Sequence, residues 1–388
     1  MRVEPSVVTF RNPQATSGLV VGEPPNREVL AFHRRLPGYA PTRLVHAPTL
    51  ARMLDVGDVW VKDESSRFGL PSFKILGASW ATYRALAARA GGAIPEWHTL
   101  DELGRQLDPL KPLTLVAATD GNHGRAVAHM AHLLGLHAHI FVPDGMAPAR
   151  IEAIQGEGAA VTIVHGTYDD AVEQAAALAS DRALVISDTG WPGYEDVPAW
   201  VVEGYSTIFC EVDDQLAEAG AQAPDLVAVQ MGVGALAAAV VTHYRRPALE
   251  TRPRIVGVEP ASAACVLASA QAGERVSIPG PHRSIMAGLN CGIPSATAWP
   301  LVSRGLDLFA AIDDEYARAA MRALADAAVV SGETGAAGLG GLLAILRGAD
   351  ASPIREALGV DQTSSILVIS TEGATDPEAY ARVVSARG

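Results

Sequence analysis

Lysine is the scarcest charge in this chain. Of 30 basic residues only Lys62, Lys74 and Lys111 are lysines, so nearly every surface cation is arginine and few amines exist that can form an imine. Cysteine is almost as rare: Cys210, Cys265 and Cys291 show no CxxC spacing, which argues against a zinc site or a redox motif, although Cys265 and Cys291 can approach one another in a fold. No cluster of ligand-type side chains demands a metal. A basic tract is missing as well. With a formal net charge of −13 spread along the chain, a nucleic-acid surface is excluded, because phosphate binding needs clustered Lys or Arg. No apolar run is long enough to cross a bilayer, and the opening MRVEPSVVTFRNPQ lacks the apolar core of a signal peptide. The expectation is a cytoplasmic protein with reduced thiols and no membrane partner.

What is present is an alanine-rich chain of 388 residues, 49% hydrophobic, enough for a large core and two lobes. From about residue 113, short apolar runs alternate with helical periods: LTLVAAT, GRAVAHMAHLLG, HAHIFVP, ARIEAIQGEG, AAVTIVHG, YDDAVEQAAALAS and ALVISD. Buried strands between helices indicate parallel β-α units covered on both faces. A helical stretch over Val201 to Ala219 leads to DLVAVQMGVGALAAAVVTHY, and RIVGVEP and SSILVISTEG add buried strands. The layout implies an α/β fold in which a smaller lobe, residues 80–215, is inserted into a larger lobe built from residues 1–79 and 216–388.

Lys74 stands at the start of a helix, in RFGLPSFKILG. A helix N-terminus is already positive, so an ammonium there is disfavoured and the amine is expected to be neutral and reactive. The other two lysines have ordinary readings: Lys62 alternates with apolar residues in DVWVKDE, on the polar side of a strand, and Lys111 precedes a proline in a loop.

Five further stretches carry chemistry. In QMGVGAL, residues Gly232, Val233, Gly234, Ala235 and Leu236 follow a strand and open a helix, a shape in which backbone N–H groups converge on an anion. It is not a Walker sequence, and Ala237 replaces the third glycine of a dinucleotide fingerprint; a plain strand-to-helix turn is the simpler reading. In ATDGNHGRAVAH, Asp120, Asn122 and His123 crowd a turn at the carboxyl end of a strand, where open α/β sheets bind ligands; helix capping is the simpler reading. Asp188, in SDTGWPGYEDVP, leaves the sheet after another strand, and is either a turn residue or a site carboxylate. SGETGAAGLGG and VISTEGATD place small hydroxyl residues beside glycine.

Taken together these parts match the needs of pyridoxal 5′-phosphate. Lys74 supplies an amine for the aldehyde carbon, the glycine loop an anion cradle, and Asn122 a hydrogen bond to the phenolic oxygen. A hydroxyl at a strand end can meet the ring nitrogen. A neutral hydroxyl leaves that nitrogen largely unprotonated, a weaker electron sink that suits β-elimination better than transamination.

The set LPGYAPTRL, DESSRFGLPSFKILGASWA, ATDGNHGRAVAH, YDDAV, SDTGWPGYEDVPAW, QMGVGAL, VEPASAAC, SIMAGLNCG, SGETGAAGLG and VISTEGATD resembles the diaminopropionate ammonia-lyase family. The likeness runs from about Leu36 to Tyr380 and is more specific than a general likeness to threonine dehydratases, whose loop before Asn-His usually lacks an aspartate. It implies the tryptophan-synthase-β-like fold, fold type II of the pyridoxal-phosphate enzymes, with two α/β lobes, each holding a mostly parallel twisted sheet covered by helices. It also implies a homodimer.

The implied reaction is loss of ammonia from D- or L-2,3-diaminopropionate, giving an aminoacrylate that hydrolyses to pyruvate and a second ammonia. Residue by residue, the resemblance makes Lys74 the Schiff-base lysine and the base toward the L-isomer, Asp120 the base toward the D-isomer, Asp188 the partner of the substrate's β-ammonium, and Ser370, with Thr371 as the alternative, the partner of the ring nitrogen. The chain departs from the family mildly at Gly77-Ala78 and Leu236, and carries Asn290 beside Cys291, which bears on substrate preference. Two other readings stay open: a serine or threonine dehydratase or β-replacement synthase of the same fold, and a non-catalytic amino-acid-binding protein.

Overall fold

The computed structural model describes residues 6–15, 27–92, 94–247, 249, 252–348 and 350–386. Eleven strands among these form two sheets. The larger has the order β1 (Val7–Arg11), β10 (Leu308–Ile312), β9 (Arg254–Pro260), β8 (Leu226–Gln230), β11 (Ser365–Ser370), β3 (Asp58–Asp63) and β2 (Arg43–His46). Its five inner strands run parallel, and only the edge strands β1 and β2 pair antiparallel. The smaller sheet, all parallel, has the order β6 (Ala160–Val164), β5 (His137–Pro143), β4 (Thr114–Ala118), β7 (Ala183–Val185). The first sheet therefore draws its strands from both ends of the chain and the second only from the middle.

The reason lies in the strand sequences. LVAVQ of β8 and LFAAI of β10 are buried at every position, so each needs apolar cover on both faces, which parallel crossovers through helices supply. In β11 the alternation sorts side chains to two cores: Ile366 and Val368 join one apolar cluster, Leu367 and Ile369 the other.

Two expectations change. The helical stretch over Val201 to Ala219 is two helices, Asp196–Gly204 and Ser206–Glu218. The break falls where Gly204 meets the backbone of the Lys74–Arg89 helix: a Cβ on Gly204 would lie 2.4 Å from the Leu76 carbonyl oxygen, and one on Gly77 2.6 Å from the Tyr205 ring. Two glycines let these backbones touch and so seat the Lys74 helix. Lys62 is not on a solvated face. It is fully buried, donating to Glu211 at 2.7 Å, to Gln215 at 2.9 Å and to the Thr42 carbonyl at 2.8 Å, because the Ser206–Glu218 helix covers the side of β3 that the alternation assigned to water. Arg67 and Glu64 complete this buried charge cluster.

Candidate active site

Lys74 is the first residue of its helix, and a backbone clasp puts it there. Ser72 and Glu372 form an antiparallel bridge, Phe73 N–H donates to the Thr371 carbonyl at 3.2 Å, and Gly373 N–H donates to that of Pro71 at 2.9 Å. The end of β11 thereby fixes the lysine opposite the carboxyl ends of β4 and β8.

Around Lys74 lies a cavity of ≈ 50 Å³ whose wall includes Asp120, Asn122, Asp188, Thr371 and the whole run Gly232 to Leu236. Asp120 and Tyr168 also face an adjoining, wider cavity of ≈ 530 Å³, so these two residues stand between an inner chamber and its vestibule.

The lysine is not the neutral amine expected from its helix position. Its Nζ lies 2.6 Å from Asp188 Oδ2. Burial opposes the charge, but Asp188, with Tyr205 and Asp120 nearby, holds the ammonium above its usual range. For Asp188, burial is likewise outweighed by Lys74 and by the hydrogen bond from Tyr168, and its carboxylate sits well below the ordinary range. The nearby carboxylate outweighs the helix terminus because the pair is close and shielded from water. Tyr168 donates to the second oxygen of Asp188 at 3.0 Å, and burial pushes the phenol far up, so it keeps its proton.

Asp120 and Asn122 do not cap the helix that follows. The cap position is Gly121, at φ 143°, and the turn is tied instead by Thr119, whose hydroxyl accepts from the N–H of Gly121 at 2.8 Å and of Gly124 at 2.9 Å. Among the described residues the Asp120 carboxylate has no hydrogen-bond partner. Burial raises its pKa to about 6, with Lys74 and Arg150 pulling the other way. His123 donates from Nε2 to the Ile186 carbonyl at 2.8 Å, which leaves Nδ1 a bare acceptor. Among the described residues that atom is buried without a partner, and burial keeps the ring neutral.

The glycine loop has the shape of an anion cradle. Gly234 stands at φ 95° and precedes the helix Ala235–Tyr244, which has no side-chain cap, so its first N–H groups point outward unspent. A Cβ on Gly232 would lie 3.0 Å from the Gly288 carbonyl oxygen and 3.1 Å from Cys291 Sγ. Cys265 Sγ also approaches Gly232, 3.8 Å from its carbonyl oxygen; both cysteines are free thiols.

Of the two hydroxyls, Thr371 lines the cavity and Ser370 does not. Strand alternation explains the difference. Ser370 continues the Ile366 and Val368 row, fully buried, and donates to Ser331 Oγ at 2.8 Å. Thr371 continues the opposite row, accepts from Gln230 Nε2 at 2.8 Å, and so has its own O–H free to donate. Sequence reasoning missed Glu372, 2% exposed. Its carboxylate accepts from the Asn122 amide and, at 3.1 Å, from the Thr334 N–H. It also explains two glycines of SGETG: a Cβ on Gly332 or Gly335 would lie 2.5–2.6 Å from the backbone oxygens of Gly373 or Glu372. Tyr168 was likewise missed; its only signal was a tyrosine opening YDDAV.

The family model described as pyridoxal-phosphate dependent enzyme matches residues 35–358. The diaminopropionate ammonia-lyase of Salmonella typhimurium is 38% identical over 367 residues, covering 92% of this chain and 91% of that protein. The crystal structure of diaminopropionate ammonia lyase from Escherichia coli in complex with D-serine superposes with a TM-score of 0.90 at 32% identity, covering 98% of this chain and 97% of that one. The same enzyme with an aminoacrylate-PLP azomethine reaction intermediate gives 0.88 with the same coverage.

Proposed function

The chain belongs to the pyridoxal-phosphate dependent enzyme family and within it to the diaminopropionate ammonia-lyases, and from that premise we propose that it eliminates ammonia from 2,3-diaminopropionate, giving pyruvate and two ammonia. The residues present fit the cofactor: a buried amine, an uncapped glycine cradle, and two buried acceptor atoms without partners, His123 Nδ1 and Gln230 Oε1, in one wall. Lys74 would hold the aldehyde carbon, Gly232 to Leu236 the phosphate, Asn122 the phenolic oxygen and Thr371 the ring nitrogen. When bound, pyridoxal 5′-phosphate supplies an aldehyde that condenses with the substrate amine and a ring that draws electron density from its α-carbon.

The observation that carries the substrate assignment is the Lys74–Asp188 pair beside a second carboxylate, Asp120. With the Lys74 nitrogen given over to the cofactor, Asp188 would no longer have the full ammonium it pairs with here, and a buried carboxylate without one is costly. The β-ammonium of diaminopropionate restores the charge; the β-hydroxyl of serine or threonine cannot. Asp188, kept ionised and aligned by Tyr168, holds that ammonium for departure as ammonia. The Lys74 amine would take the α-proton of the L-isomer from its face, and Asp120 would take that of the D-isomer from the other. Thr371, whose hydroxyl accepts from Gln230, would have its O–H left to donate to a ring nitrogen, which would favour the unprotonated form. The same reading makes the enzyme a cytoplasmic homodimer; its three buried free cysteines fit a reducing compartment, and sedimentation tests the dimer.

The test is pyruvate release from D- and L-2,3-diaminopropionate, with L-serine and L-threonine as controls, by wild type and by Lys74→Ala and Asp188→Asn. Turnover of both diaminopropionate isomers, lost in Lys74→Ala and much reduced in Asp188→Asn, is the expected result. Turnover of serine or threonine without diaminopropionate would retain the cofactor and overturn the substrate.

A further inference from the structure

At the opposite end of the large sheet from the cradle lies a cavity of ≈ 430 Å³ walled by Arg245, Arg252, Arg254, Arg304 and Asp307. This volume is in the range of small-molecule sites. Arg245 forms its buried part, 5% exposed, and donates at 2.8 Å to the Pro253 carbonyl and at 2.8 Å to Asp307 Oδ2. Arg254 donates to Asp307 Oδ1 at 2.8 Å, and the Ile255 N–H donates to Oδ2 at 2.8 Å. One carboxylate thus serves two guanidiniums and an amide and has little left to offer. Arg304, exposed at the rim, has no ion-pair partner among the described residues, while Arg252 has an interaction of its own.

The walls hold an excess of positive charge in a chain whose net charge is −13. Arg245 caps the C-terminus of the Ala235–Tyr244 helix, and Arg304 lies in the last turn of the Trp299–Gly305 helix. Those two ends contribute only about half a negative charge each, so at least three guanidiniums outweigh them and Asp307 together. Burial, then repulsion from Arg252 and Arg254, works against the Arg245 charge and outweighs the help of Asp307. An oxyanion relieves that repulsion, and guanidinium forks match its geometry.

Both helices also lead back to the cofactor cradle. The first begins at Ala235, inside the cradle, and ends against Arg245. The second is preceded by Ala298, whose Cβ would lie 3.4 Å from a Cβ on Gly234; at its other end a Cβ on Gly305 would lie 2.3 Å from Val241 of the first helix. The two are packed as one block between the cavities.

We propose that the arginine cavity is a binding site for a phosphate group, free or on a nucleoside monophosphate, whose occupancy steadies the cofactor cradle from behind. The site is separate from the reaction centre, and the inference stands whether or not diaminopropionate is the substrate.

The experiment titrates inorganic phosphate, and separately AMP, into cofactor-loaded full-length enzyme by calorimetry at constant ionic strength, with chloride as the control. Wild type is expected to bind one phosphate per chain, and Arg304→Ala and Arg254→Gln to bind at least tenfold more weakly with unchanged thermal unfolding in the absence of phosphate. Cofactor release into a trap, followed by absorbance, should slow several-fold with phosphate in wild type and not in Arg304→Ala. AMP binding tighter than phosphate assigns the group to a nucleotide; equal or weaker binding assigns it to the free anion. No phosphate heat in wild type, or equal affinity in wild type and both variants, would overturn the site. Binding without slower cofactor release would overturn the coupling.

Discussion

The pH dependence of the two enantiomers separates the roles of Asp120 and Lys74. The Asp120 carboxyl titrates near pH 6 instead of 3.8, chiefly through burial. A raised carboxyl pKa means that the base form exists only above it and is lost as pH falls through it. About nine-tenths of Asp120 is ionised at pH 7 and about one-tenth at pH 5, so D-isomer turnover should fall roughly tenfold across that interval. An unshifted aspartate would remain more than about nine-tenths ionised at pH 5 and give a flat profile. Asp120→Asn should reduce D-isomer kcat/KM by about 10²–10⁴, the usual worth of a positioned base, while L-isomer turnover changes far less. The assay is initial pyruvate release from each pure enantiomer between pH 5 and 8. Matching D and L profiles, or equal losses for both enantiomers in Asp120→Asn, would refute the two-base reasoning.

Three further outcomes follow from the same geometry. In Gly232→Ala the new Cβ meets the Gly288 carbonyl at 3.0 Å and Cys291 at 3.1 Å, and overpacking of ~1–3 kcal/mol should weaken cofactor affinity by about 5- to 150-fold, read by absorbance titration of the cofactor-free protein. Asp188→Asn removes the group that holds Lys74 above its usual range; burial then favours the neutral amine, and cofactor loading, followed spectroscopically, should extend to lower pH than in wild type. Glu372→Ala leaves the Asn122 amide and the Thr334 N–H without their acceptor, which should cost about 1–3 kcal/mol for each unsatisfied group in chemical denaturation and shift the bound cofactor's absorbance; an unchanged spectrum would show that Asn122 is positioned by something else.

Much of this was legible from sequence because the informative positions obey local rules. Apolar runs between helical periods predicted parallel units, and a scarcity of lysine drew attention to Lys74. What stayed hidden was what depends on partners distant in the chain. Lys62 reads as half-solvated by alternation alone; a helix some 150 residues later buries it against Glu211. Lys74 reads as neutral from its helix end, and only the fold brings Asp188, 114 residues away, to 2.6 Å. The choice between Ser370 and Thr371 needed the strand's facing. Glu372 carried no sequence signal beyond adjacency, since its partners Asn122 and Thr334 come from two other segments.

The same long-range pairing explains how a site of this kind is assembled with one amine. Lys74 is contributed by a helix start clasped to the end of β11, Asp120 and Asn122 by the turn after β4, Asp188 by the loop after β7, and the cradle by the turn after β8. Each segment alone is an ordinary strand-to-helix connection. Charge makes them a unit: the Lys74–Asp188 pair joins one contact between the sheets, and the Asn122–Glu372 hydrogen bond joins another. A cofactor held by Lys74 would take the ammonium from Asp188, and a substrate that carried no second cation would offer no replacement. A β-ammonium would stand where the Lys74 ammonium stands in this structure, so the pair that joins the two sheets would be reproduced by the substrate itself. On this reading, selection for a diamine would rest on the same carboxylate that pairs with Lys74.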